Sequence, residues 1–197
     1  MLRHGRDVRD GVKRVADSTT KLRAVPTLES FLRPLYQDLD GVSRFDDVER
    51  IGRIARRLYT PASPADARAF DLLIRFHRLG KWLEKVGNVS RAVLAVEGLA
   101  EAELRRTASS IRRLEQPVTE AERAVAAALL IDDAGLRGLT DRFTRARREG
   151  NSTMDILRAA LSDVSVPEWL PDGAEEMLHE RRETRREFCR KLLEELS

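Results

Sequence analysis

The chain has 197 residues, 42% apolar and 35% charged, with a formal net charge of +3. That suits one domain with extensions and leaves enough apolar residue for a core, which excludes a disordered or fibrous chain. The single cysteine, Cys189, excludes an intrachain disulfide, and no apolar run reaches the ~18 residues that span a bilayer.

The N-terminus has charges but no apolar segment of a secretory signal, so the expected location is cytoplasmic, without a membrane partner. Aromatic residues make up only 5%, so Leu, Ala, Val and Ile must fill the core. No stretch alternates apolar and polar residues for long, and β-branched runs are few. The expected fold class is therefore all-α.

The first segment is basic. Residues 1–25 hold seven basic groups, Arg3 to Arg23, against three acids, which leaves the remainder close to neutral. Val8, Val12 and Val15 share a helical spacing over residues 3–16, weakened by Gly5 and Gly11. Thr27 then caps a helix carrying Leu28, Phe31, Leu32 and Leu35, in which Pro34 predicts a kink or an early stop. Ser43 can cap a helix over about 44–59, with an apolar stripe of Phe45, Val48, Ile51, Ile54, Ala55 and Leu58.

The clearest helix start is Ser63-Pro64-Ala65-Asp66: a capping serine, a proline at the first position and an acid two residues on. This helix is apolar on more than one face, which predicts a central, buried position, and it is expected to run to about Gly80. Helix resumes over about 82–96 and again over 100–114. Thr119 and Glu122 form a capping box ahead of an alanine-rich helix to about Ile131. Further helices are expected over about 134–148, from Ser152, and over about 173–195. The organisation expected is a basic arm (1–26), a helical domain (27–165) and a C-terminal helical extension (166–197).

Three segments carry a motif. They read Phe45-Asp46-Asp47-Val48-Glu49-Arg50-Ile51, then Phe76-His77-Arg78-Leu79-Gly80-Lys81-Trp82, then Ala128-Leu129-Leu130-Ile131-Asp132-Asp133-Ala134. In this order and spacing they resemble the HD superfamily of metal-dependent phosphohydrolases, whose helical fold holds a divalent metal. Its ligands are a His, an adjacent His-Asp pair and a later Asp. The resemblance covers about residues 28–162 and implies an HD-like helical bundle. Asp47 stands where the first His belongs, Arg78 replaces the Asp of the pair, and Asp132 falls at the last ligand, with Asp133 one residue away.

The departures bear on the chemistry. A metal in such a site would be held by Asp47, His77 and Asp132, and would be Mn, Fe, Zn or Mg; Arg50 and Lys81 could then bind phosphate. Asp can replace His as a ligand, but a guanidinium has no lone pair to donate and stays charged. No metal or other cofactor is therefore expected. Instead Arg78 is expected to fork onto Asp47 and Asp132, relieving the repulsion between two buried carboxylates. Simpler readings stand beside this one. His77 can be a core histidine bonded to a carbonyl, the paired acids can serve helix starts, and Gly80 can be a plain helix break.

Three functions follow, in order. The first is a catalytically degenerate HD-like domain acting as an interaction or regulatory module, with an unknown protein partner or self-association. The second is a phosphohydrolase acting on nucleotides or other phosphate esters. The third is nucleic-acid binding through the basic arm, although no aromatic residue before Phe31 offers base stacking. Arg supplies 31 of the 36 basic residues, which fits phosphate recognition or a bias in base composition. The arginines at 142–148 and 181–190 read as helix-end and solvated-face charges.

Overall fold

Local capping chemistry sets where most helices begin. In the computed structural model the residues described are 27–37, 39, 44–85, 98–162 and 165–196. Among them are nine helices and no strand: α1 (Leu28–Gln37), α2 (Phe45–Leu58), α3 (Pro64–Phe76), α4 (Gly80–Lys85), α5 (Glu101–Arg112), α6 (Glu120–Ala134), α7 (Leu136–Arg148), α8 (Thr153–Leu161) and α9 (Ala174–Leu196). The expected all-α class is what the chain adopts. The basic arm, Ser43 and most of the expected 82–96 helix lie outside the described residues.

Ser63 Oγ accepts the Asp66 N–H at 3.2 Å, with Pro64 at the first helical position. Thr119 Oγ1 accepts the Glu122 N–H at 3.2 Å, and Glu122 Oε2 reaches back to the Thr119 N–H at 3.2 Å. That is the reciprocal capping box the spacing predicts. Ser152 caps α8 in the same way, through the Asp155 N–H.

Two expectations about helix ends need correction. Pro34 does not stop α1, which continues to Gln37. Pro34 sits on the exposed side of a short helix, so its ring meets solvent, while Leu28, Phe31, Leu32 and Tyr36 anchor the other face. The third helix ends at Phe76, with His77 as its C-cap, and not at Gly80. The cause is competition for carbonyls. Ile74 O, which a continuing helix would offer to the Arg78 N–H, accepts from His77 Nδ1 at 2.7 Å. Arg75 O accepts from Tyr36 Oη at 2.9 Å. The chain turns through Leu79, whose N–H bonds Phe76 O at 2.7 Å, and α4 starts at Gly80.

The alanine-rich helix α6 is central and packs on α2, α3, α7 and α9. Ala124, Val125, Ala127, Ala128 and Ile131 are fully buried, and their small side chains let neighbouring helices approach closely. The main core joins α1 to α6 with the start of α9, where Ala174 and Leu178 are buried. A second, smaller core gathers Leu139 of α7, Leu157 and Ala160 of α8, and Cys189 of α9. The long helix α9 thus touches both cores. No helix of the described residues is long and apolar enough to cross a membrane.

Candidate functional site

The three motif segments meet at one end of the bundle, where the start of α2, the end of α3 and the end of α6 converge. Asp47 lies in the first turn of α2 and is 2% exposed. Its Oδ2 accepts the Arg44 N–H at 2.9 Å, which serves the helix start, while Oδ1 accepts from Arg50 NH2 at 3.0 Å. Across the interface, Arg50 donates from Nε to Asp132 Oδ1 at 2.5 Å and from NH2 to Asp132 Oδ2 at 2.9 Å. One guanidinium therefore holds both motif carboxylates, bidentately on the second. These bonds raise the Arg50 pKa further above its ordinary value, most strongly through Asp132.

The guanidinium foreseen in this place was Arg78, and that expectation is corrected. Arg50 sits three residues after Asp47, on the same face of α2, so it reaches both acids from its own helix. Arg78 follows the end of α3, and its Nε is buried without a hydrogen-bond partner. Its charge acts instead on His77 and on Asp141. Lys81, the other residue considered for phosphate, is exposed on α4. Arg50 commits its Nε and NH2 donors to carboxylates.

His77 is 5% exposed. Ile74 O can only accept, so the proton sits on Nδ1 and Nε2 carries a lone pair. That Nε2 is buried and meets no donor. Tyr36 Oη, 3.5 Å from Nδ1, has its own proton on Arg75 O. Burial drives the imidazole pKa down to about 4; the Ile74 bond and the Asp47 and Asp132 charges oppose the shift, while Arg78 adds to it. His77 is thus neutral at physiological pH. The reading of it as a core histidine bonded to a carbonyl describes its geometry.

Two members of the cluster were missed in the sequence. Arg137 and Asp141 of α7 stand one turn apart and 3.5 Å from each other, and Arg137 NH2 also lies 3.6 Å from Asp47 Oδ1. Burial raises the Asp141 pKa against the pull of Arg137. The i, i+4 spacing of opposite charges was the available signal. Asp133, next to Asp132, points elsewhere and pairs with Arg142. Asp46 is exposed and pairs with Arg33 at 3.4 Å.

These residues do not fit a divalent metal. A hydrolytic metal needs free anionic oxygens beside neutral imidazole. Here both carboxylates are bonded to Arg50, Arg137 stands near Asp47, and the charge of Arg78 acts on His77. Among the described residues no group of three or more His, Cys, Asp or Glu is placed to hold a metal ion.

At the opposite end of α3 and α6 lies an open groove of about 520 Å³. Its acids are each engaged: Asp66 by Tyr59, Glu103 by Arg68 and Glu122 by Arg113. No family model matches this chain, and neither curated proteins nor solved structures yield a match.

Proposed function

We propose that the chain is a catalytically degenerate HD-like helical domain that serves as an interaction or regulatory module. One observation supports this reading above the others: Arg50 lies between Asp47 and Asp132 and donates to both. A fixed guanidinium there supplies the positive charge that two adjoining carboxylates require, and together with the Arg44 N–H it places a hydrogen bond on each of their four oxygens. Arg78, standing where the resembled motif has its Asp, removes a further ligand. In this reading the fold is kept for its surface, and the former site has become a structural joint between α2 and α6.

The test is metal content after purification with Mn²⁺, Fe²⁺ or Zn²⁺ supplied. The wild type is expected to retain none in stoichiometric amount. The double variant Arg50→Gln/Arg78→Asp frees Asp47 and Asp132 and adds a carboxylate next to His77 in the chain; it is expected to gain metal. Near-stoichiometric metal in the wild type, lost in His77→Ala, would overturn the reading and favour a metal-dependent phosphohydrolase.

A further inference from the structure

Arg185 of α9 is 2% exposed and is among the largest fully buried side chains. Arg182, three residues earlier on the same helix, is 9% exposed. Neither guanidinium makes a hydrogen bond or an ion pair among the described residues, and Arg185 Nε is sealed from solvent without a partner. The charges acting on Arg185 are Arg142 of α7, Arg182, and Asp133 at the end of α6. Asp133 is already bonded to Arg142. Among the described residues, three guanidinium groups thus share one carboxylate, a local charge of +2.

An uncompensated buried charge is among the costliest features a fold can carry, and guanidinium cannot shed its proton to escape the cost. Arg185 lies one turn before Cys189, whose side chain packs in the apolar core of α7, α8 and α9. A Met or Leu at 185 would extend that core without penalty. The two unpaired arginines therefore point to an anion that binds there. A monocarboxylate would leave half the charge unmatched, whereas a phosphate dianion neutralises it, and its oxygens suit the forked donors of Arg. The Arg142 side chain is 35% exposed, which gives the cluster an open side.

We propose that Arg142, Arg182 and Arg185 form a binding site for a phosphate dianion, either free or at the end of a small phosphate monoester. The site shares no side chain with the Arg50 joint, so either reading can fail alone. Asp132 and Asp133 are consecutive, however, and face the two charge centres separately. An anion that engages Arg142 therefore acts one residue away from the α2–α6 joint.

Isothermal titration of the full chain with inorganic phosphate and, separately, with glycerol phosphate tests this, at ionic strength held constant with sodium chloride. Saturable binding at one site per chain is expected, with none for acetate. Tighter binding of glycerol phosphate assigns the site to a monoester, and equal affinity to the free ion. Arg182→Met and Arg185→Met should each weaken binding by roughly 10- to 100-fold, the loss of a charge-assisted contact. Ligand-free Arg185→Met should also melt above the wild type, because a buried unpaired charge has been removed. Should that variant fail to fold, Arg142→Gln replaces it with the same expected loss. No saturable phosphate heat, equal binding of acetate, or unchanged affinity in the variants would each overturn the proposal.

Discussion

A buried neutral imidazole makes stability depend on pH. In the unfolded chain His77 takes up a proton near the ordinary histidine value of ~6.5, whereas in the folded chain it does so only near about 4. Between these values the unfolded state binds more protons, so stability falls as pH drops through that window and levels off below it. The slope from this one residue approaches ~1.4 kcal/mol per pH unit. The charges facing the ring are Arg78, Asp47 and Asp132. Urea midpoints measured between neutral pH and about pH 4.5 should fall more steeply in the wild type than in His77→Asn. Equal slopes would remove His77 from the account. At this scale the chemistry of the site was partly legible. The acids at 47 and 132 and the buried histidine were marked by motif spacing, and a guanidinium between the acids follows from their repulsion. Which arginine provides it was not, because motif position points to Arg78, whereas the helix face that Arg50 shares with Asp47 decides the pairing.

The turn from α6 into α7 depends on Gly138. A Cβ there would lie within 2.5 Å of Asp133 Cα and closer still to its carbonyl oxygen, so backbone, not a movable side chain, would have to shift. Alanine is the better helix former by ~1 kcal/mol, but the clash reverses the sign. Gly138→Ala is expected to destabilise by ~1–3 kcal/mol in chemical denaturation, and a stabilised variant would refute the argument. Helix starts were the most legible elements, since Ser63, Thr119 and Ser152 act on N–H groups only three residues away. The end of α3 was not, because one of its carbonyls is capped by Tyr36, 39 residues distant. Local patterns report local bonds, and this end is fixed by a tertiary one.

Two cores within one helical molecule give it regions of unequal strength. The larger surrounds α6; the smaller, of Leu139, Leu157, Ala160 and Cys189, holds α7 and α8 to the C-terminal half of α9. Leu157 is fully buried there. Leu157→Ala should cost ~2–5 kcal/mol, and hydrogen exchange should show α7 and α8 losing protection while α2, α3 and α6 keep theirs. Uniform loss across all helices would mean that the cores unfold together. The all-helical class was legible from composition and periodicity. The second core was hidden because α9 has a mixed, charge-rich pattern, and its arginines at 182 and 185 read as solvated when they are in fact buried.

The bond between Arg50 and Asp132 joins residues 82 positions apart. A contact of that range, with an exacting fork geometry, forms only once α2 and α6 are docked and water has left between them. It therefore acts on the lifetime of the folded molecule more than on the speed of its assembly. Replacing Arg50 by methionine should raise the unfolding limb of the chevron and leave the refolding limb nearly unmoved. A slowed refolding limb would place the pair in the folding nucleus. A carboxylate pair gripped by one guanidinium serves, in this molecule, as a latch on its opening.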